Sequence, residues 1–114
     1  ETINSNNMEK SNILISELAH FQYALIELKK GNTLNTQKLI NQMKMKTIYS
    51  EISLIINAEI EDRVYKNYKK AIKYYEDILE KFPDTIYKEN ILNRLNEINK
   101  FVIEEYDLWL KREY

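Results

Sequence analysis

The chain has 114 residues, a formal net charge of −1, one glycine, one proline and no cysteine. This length predicts one domain, and the scarcity of turn-forming residues favours long helices over a β-sandwich or barrel. The balanced charge argues against nucleic acid as a partner, and the lack of cysteine excludes disulfides and thiolate metal sites. No apolar run approaches the roughly 20 residues of a membrane span, so we expect no direct membrane insertion by this segment.

The first helix is predicted to begin near residues 8–12 and to end at Lys30, with Gly31 as its left-handed C-cap. The polar segment 1–12 is predicted to be flexible, ahead of a single domain over 13–114. Apolar residues occur on most sides of this helix, so it either lies centrally in the domain or turns one side towards a partner. Because the chain begins at Glu1 rather than Met, we expect that an upstream piece was removed.

Three further helices follow. Thr33 is predicted to cap the second, over about 34–45, and the third covers about 48–65. The fourth has the clearest pattern, because its apolar residues recur at steps of three and one while charged residues occupy the other side. Pro83 ends it, since the residue before a proline is displaced from the helical region.

The tail is open to two interpretations. Asp84 and Thr85 can cap a fifth helix, and an apolar seam from Ile91 to Trp109 favours one long helix over about 85–113. The alternative is a break near residues 99–100 and a separate helix that begins near Phe101. That alternative rests on the order of charges after the break, since Glu104, Glu105 and Asp107 precede Lys111 and Arg112.

The sequence also contains an internal repeat signal. Ala24 and Ala58 are 34 residues apart, whereas Asn32 and Asn67 are 35 apart. One residue is therefore gained at the turn between helices, where insertions are tolerated.

The fourth helix resembles the second helix of a tetratricopeptide repeat. That repeat has a small residue, an aromatic residue four positions on, and a proline eight positions after that; here these are Ala71, Tyr75 and Pro83. Lys66 holds the place of the usual glycine. The resemblance implies an all-α fold of about five helices, in antiparallel pairs with right-handed superhelical stacking and a long C-terminal helix.

Boundaries and locations follow from the same resemblance. Repeats are expected over about 13–47 and 48–83, with a capping helix over about 85–113. Bacterial cell-envelope tetratricopeptide proteins carry similar repeats, which implies the periplasmic side of a bacterial envelope, with the missing upstream part as an anchor. The residues implied to pack the repeat helices are Ala24, Ala58, Tyr68, Ala71, Tyr75, Leu79 and Pro83.

The turn between the third and fourth helices, here called the central turn, is flanked by charges that have the wrong sign for their own helix dipoles. Acidic residues end the third helix and lysines begin the fourth. Because both groups flank one turn, we expect them to pair across it. The groups are Glu59, Glu61 and Asp62 on one side and Lys66, Lys69 and Lys70 on the other.

Signs of catalysis are weak. Glu17 and His20 have a spacing that could hold a metal, but such pairs are common on ordinary helices, so we expect no metal and no cofactor. A phosphate loop and a nucleophile elbow are both missing from the sequence, so we expect no enzyme. Lysines and tyrosines alternate near Tyr68 and Tyr75, but both rings belong to the apolar side, and we expect no nucleic acid.

The predicted function is non-catalytic protein–protein interaction, as an adaptor or assembly scaffold that binds another protein or peptide. By resemblance, the first helix of each pair would line a concave groove; an ordinary core is the alternative. The implied groove residues are Leu18, Phe21, Leu25, Ile56, Ile60, Arg63, Tyr87, Asn90 and Arg94. The alternative function is a structural subunit or homo-oligomer held by its first and last helices, with Tyr106, Trp109 and Leu110 in self-association.

Overall fold

The computed structural model describes residues 5–113, with side chains over 8–112, and these residues contain helices and no strand. The α-helices are α1 (Ser5–Lys29), α2 (Thr33–Asn41), α3 (Ser50–Glu59), α4 (Tyr68–Lys81) and α5 (Lys88–Glu113). A π-helix over Ile60–Val64, here called the π-segment, follows α3 directly. The predicted all-α class with about five helices and a long last helix is confirmed.

The ends of α1 and α2 differ from the prediction at three points. Helix α1 begins at Ser5, inside the polar segment 1–12, because that segment contains no glycine or proline, the two residues that most disfavour a helix. The predicted flexibility of residues 1–4 lies outside the described residues. Helix α2 ends at Asn41 rather than near residue 45, and Met45 has a left-handed φ of 57°. Asn32, not Thr33, is the N-cap residue of α2.

The chain divides into two compact units, Glu1–Asn57 and Ala58–Tyr114. In the first, α1 packs on α2 around the buried side chains of Ala24, Ile40 and Met43. Gly31, at φ 84°, ends α1 as predicted. Its N–H donates to the Leu28 carbonyl at 3.0 Å, and the Asn32 N–H donates to the Glu27 carbonyl at 2.9 Å. This pair of bonds forms a Schellman motif, which only a left-handed residue permits without strain.

The loop after α2 is fastened to α1 by a buried carboxylate. Glu17 accepts hydrogen bonds from the Thr47 hydroxyl at 2.5 Å and from the Lys46 N–H at 3.3 Å. The ring of Phe21 stacks on that of Tyr49, with centroids 5.3 Å apart. Because a buried carboxylate needs such donors, these hydrogen bonds hold the loop that precedes α3 against α1.

In the second unit, α4 packs against both the π-segment and α5. The core contains the buried side chains of Ile60, Ala71, Ile78, Ile91 and Ile98. Helix α5 is one continuous helix of 26 residues, about 39 Å long. The preferred interpretation of the tail is therefore confirmed. The Thr85 hydroxyl accepts from the Tyr87 N–H at 3.2 Å and closes the turn that precedes α5.

The central turn, between the π-segment and α4, is built like the turn between α1 and α2. The Asn67 N–H donates to the Glu61 carbonyl at 2.8 Å, as Asn32 does to Glu27. A left-handed residue precedes each asparagine, Gly31 in one turn and Lys66, at φ 54°, in the other. The second turn holds one residue more, and the extra residue falls between Glu61 and Asn67, next to the π-segment. This extra residue accounts for the change from 34 to 35 in the spacing between equivalent residues of the two repeats.

Candidate interaction surfaces

A buried polar cluster in the second unit holds α5 in place. The guanidinium of Arg94 donates to both carboxylate oxygens of Asp62, from Nε and from Nη2, at 2.7 Å each. The Tyr75 hydroxyl donates to the same carboxylate at 2.9 Å. Asp62 has a side chain that is 0% exposed. The Arg94 Nη1 also donates to Glu97 at 2.8 Å. The cluster links the π-segment, α4 and α5.

The electrostatics of the cluster favour its charged form. Burial alone would raise the pKa of Asp62, but the hydrogen bonds from Arg94 and Tyr75 and the positive charge of Arg94 outweigh it, so that the pKa is lowered. Burial and the Asp62 carboxylate raise the pKa of Tyr75, which keeps its proton. The hydrogen bond to Asp62 raises the pKa of Arg94. Each charge in the cluster therefore has a partner, as burial requires.

Phe101 marks the point where α5 leaves the core. Its ring lies 6.1 Å from that of Tyr68, between centroids, and the Arg94 guanidinium carbon lies 5.6 Å from the Phe101 centroid. A shallow groove of about 270 Å³ is lined by Tyr68, Phe101, Glu104, Glu105 and Leu108.

Beyond Phe101, α5 carries apolar side chains that its unit leaves exposed or, at Leu110, half-buried. We call the side formed by Val102, Ile103, Tyr106, Trp109 and Leu110 the distal face. Tyr106 and Trp109 are 60% and 55% exposed, and their rings stack with centroids 6.2 Å apart. The same seam buries Ile91 and Ile98, at 4% and 0% exposure. The apolar seam of α5 thus continues past the core that it builds.

Helix α1 also has an exposed apolar side. We call the stripe of Met8, Ile15, Tyr23 and Ile26 the outer face of α1; each of these side chains is at least half exposed. The stripe lies opposite Ala24 and Glu17, which are buried. Apolar residues occur on most sides of α1 because one side packs on α2 and another side remains exposed.

The predicted groove residues lie in both units. Leu18, Phe21 and Leu25 form a half-buried stripe on α1, and Ile56 on α3 is also half-buried. In the second unit, Ile60 is buried, whereas Asn90 is exposed. Arg63 is exposed, with its Nε 3.8 Å from Asp62. Tyr87 is half-buried, and Arg94 is engaged with Asp62 and Glu97.

The predicted repeat-packing residues are mostly internal. Ala24, Ala58, Ala71 and Tyr75 are buried. Tyr68 and Leu79 are half-buried, and Pro83 is exposed just after α4. Across the central turn, Lys70 Nζ lies 3.8 Å from a Glu61 carboxylate oxygen, which is one of the expected acid–base pairs.

His20 and Glu17 make separate hydrogen bonds. The His20 Nδ1 lies 2.8 Å from the Ser16 carbonyl oxygen, while Glu17 is bonded to the loop after α2. Over the residues that the structure describes, no three His, Cys, Asp or Glu side chains are placed to hold a metal ion. Within the same residues, no helix has the length and apolarity needed to cross a bilayer.

The Asp62–Arg94 pair was not predicted from the sequence. The two residues are 32 positions apart, and a salt bridge at that separation leaves no local pattern. The sequence offered one sign of a buried charge. Asp62 lies two positions from each of the apolar residues Ile60 and Val64, on a helix whose apolar side is broad. A comparison of the chain with protein-family models, curated proteins and solved structures finds no match.

Proposed function

We propose that this protein is a non-catalytic protein–protein interaction module, an adaptor or assembly scaffold. One observation carries the proposal. After the core of each unit is built, α1 and α5 still expose large apolar side chains at helical spacing, on the outer face of α1 and on the distal face. Contiguous apolar surface of this kind is typical of binding sites, whereas single exposed apolar residues are ordinary.

The partner class follows from the shape of the outer face of α1. A straight apolar stripe on an exposed helix accommodates the apolar side of another helix, whose anchors recur at positions i, i+3, i+4 and i+7. Beside the stripe, Ala19, His20, Tyr23 and Leu39 line a shallow groove of about 300 Å³. An amphipathic helix of another protein is therefore the proposed ligand of α1.

The proposed tetratricopeptide relationship is supported by the similar turns that precede α2 and α4 and by the buried small residues Ala24, Ala58 and Ala71. Superhelical stacking, a bacterial origin and an envelope location belong to the same proposal. In this proposal the half-buried stripe of Leu18, Phe21 and Leu25 forms the edge of the binding surface.

Paired variants test the proposal. The wild-type chain and the double variant Ile15→Lys, Ile26→Lys would be immobilised and used to capture proteins from an extract of the source cell. Both positions are exposed, so the variant keeps its fold, and we expect it to lose the captured partner because two charges now interrupt the stripe.

The matched control is the double variant Gln42→Lys, Asn93→Lys, which adds the same charge at exposed polar positions outside α1. It should capture the partner as the wild type does. Capture of the same proteins by all three forms, or of none by the wild type, would contradict the proposal.

A further inference from the structure

We propose that the distal face of α5 binds the distal face of a second copy of this chain, with the two helices antiparallel. The inference rests on the proposed function, since it names one partner of an interaction module. The five side chains of the distal face fall within a sector of about 120° around the helix. Between Val102 and Arg112, every charged residue lies outside this sector.

The charges beside the distal face are self-complementary. Glu105 and Arg112 are seven positions apart and lie on one flank of the face; Asp107 and Lys111 are four apart and lie on the other. All four are exposed. When two copies pair antiparallel, the acidic residues of each flank meet the basic residues of the same flank in the other copy.

The two flanks independently give the same register. A twofold axis relates the two copies and crosses α5 midway between two residues that face each other. If Glu105 faces Arg112 of the second copy, this axis lies at position 108.5. If Asp107 faces Lys111, it lies at position 109. Both place Trp109, the single tryptophan of the chain, at the centre of the interface, with Tyr106 and Leu110 beside it. A parallel pair would instead bring opposite flanks together, with Glu105 beside Asp107 and Arg112 beside Lys111 of the other copy, which is repulsive.

The size of the face sets the expected affinity. Five half-exposed side chains from each copy bury on the order of 1,000 Å² in total, which is the range of weak, reversible interfaces. We therefore expect a monomer–dimer equilibrium with a dissociation constant in the micromolar range rather than a permanent dimer.

Charge reversal tests the pairing. The molar mass of the full chain would be measured by light scattering over a hundredfold range of concentration. The wild type should rise from the monomer mass of 13.8 kDa towards twice that value. The variant Glu105→Arg, Asp107→Lys places like charges opposite one another in the antiparallel pair. It should therefore weaken dimerisation about tenfold or more.

The full swap is the matched control. Adding Lys111→Glu and Arg112→Glu to that variant restores opposite charges across both flanks, and dimerisation should return to within about threefold of the wild type. Circular dichroism of each form checks that the helices persist. A wild type that stays monomeric at every concentration, or a dimer that is indifferent to the reversal, would overturn the proposal.

The register has its own test, since the chain has no cysteine. Leu110→Cys lies about one residue from the axis, within disulfide reach of its counterpart, and should cross-link under mild oxidation. Lys100→Cys lies roughly 13 Å from the axis along the helix, so its counterpart is roughly 26 Å away and should not cross-link. Equal cross-linking at both positions would rule out this pairing.

The two proposals can fail separately. If the chain stays monomeric but the variant Ile15→Lys, Ile26→Lys loses a captured protein, the self-pairing is wrong and the interaction function stands. If the chain dimerises through the distal face and the wild type captures no other protein, the adaptor function is wrong and the self-pairing stands.

Discussion

Asp62 is the residue on which the second unit most depends. Its buried carboxylate receives two hydrogen bonds from Arg94 and one from Tyr75, so three separate elements meet at one side chain. A buried ion pair adds little stability over apolar packing, but removing one partner leaves a charge unpaired. The cluster therefore fixes the position of α5 more than it adds to the total free energy of unfolding.

We expect Asp62→Ala to lower the free energy of unfolding by about 3 kcal/mol, because Arg94 loses its main partner. The double variant Asp62→Ala, Arg94→Ala should cost less than the sum of the two single variants, since no charge is left unpaired. Urea unfolding measures all three, with Glu76→Ala on the exposed side of α4 as the control. Costs that simply add would show that the two side chains act independently.

Acid should weaken the same cluster. The pKa of Asp62 is lowered in the folded state, so the unfolded chain binds the proton more readily and stability rises with pH across this range. The contribution is fully present above the unfolded pKa of about 3.9 and is lost as the pH falls below it, through the lower folded pKa.

The measurement is urea unfolding of the wild type and of Asp62→Asn between about pH 7 and pH 3. The difference between their free energies of unfolding should be largest near neutral pH and should shrink below about pH 4. A difference that stays constant across the range would contradict the assignment of the charged form.

Lys66 carries a strained backbone. Its φ of 54° is left-handed, a conformation that costs a residue with a side chain roughly 1–2 kcal/mol and glycine almost nothing. Lys66→Gly should therefore raise the free energy of unfolding by about 0.5–1 kcal/mol despite the greater freedom of glycine in the unfolded chain. Lys66→Ala, which keeps the Cβ atom, is the control, and a gain as large as that of glycine would refute the explanation.

Among the helices, α4 was the most predictable. Its apolar period and Pro83 predicted it by local chemistry alone, and the structure adds Asn67 as the N-cap of Tyr68–Lys81. The π-segment was not predicted, because a pattern with a fixed angle per residue does not detect one inserted residue. The sequence contained one sign of it, because the spacing between equivalent residues of the two repeats changes from 34 to 35 between Glu61 and Asn67. Arg94 was predicted as a groove residue from its place on the fifth helix. Its bond to Asp62 was not predicted, because that bond depends on tertiary packing alone.

Helix α5 should divide into a core half and a free half. A chain that ends after Phe101 keeps Ile91, Ile98 and the contacts of Arg94. The side chains described over residues 102–112, which it loses, are exposed or, like Leu110, half-buried. Its free energy of unfolding, measured by urea at a concentration where the full chain is monomeric, should fall by less than about 1 kcal/mol. Ile98→Ala, which opens a cavity at a side chain with 0% exposure, should cost about 3 kcal/mol. A truncation as costly as Ile98→Ala would mean that the distal face belongs to the core.

For the whole molecule, the apolar surface that remains outside the two cores is what points to function. Composition predicted an all-helical chain with no obvious catalytic residues, and periodicity predicted an α1 that is apolar on most sides. Neither could tell a buried side from an exposed one, because exposure depends on which elements lie alongside. The structure makes that distinction on α1 and α5, and on it rest both the interaction function and the self-pairing.

The emission of Trp109 is a direct probe of association through α5, because the chain has one tryptophan and its side chain lies on the distal face. The full chain would be titrated over a hundredfold range of concentration. The emission should shift from that of a water-exposed indole towards the blue as the protein becomes more concentrated. The midpoint of the shift should coincide with the rise in molar mass. An emission that remains water-exposed at every concentration would contradict the proposal that the chain associates through this face of α5.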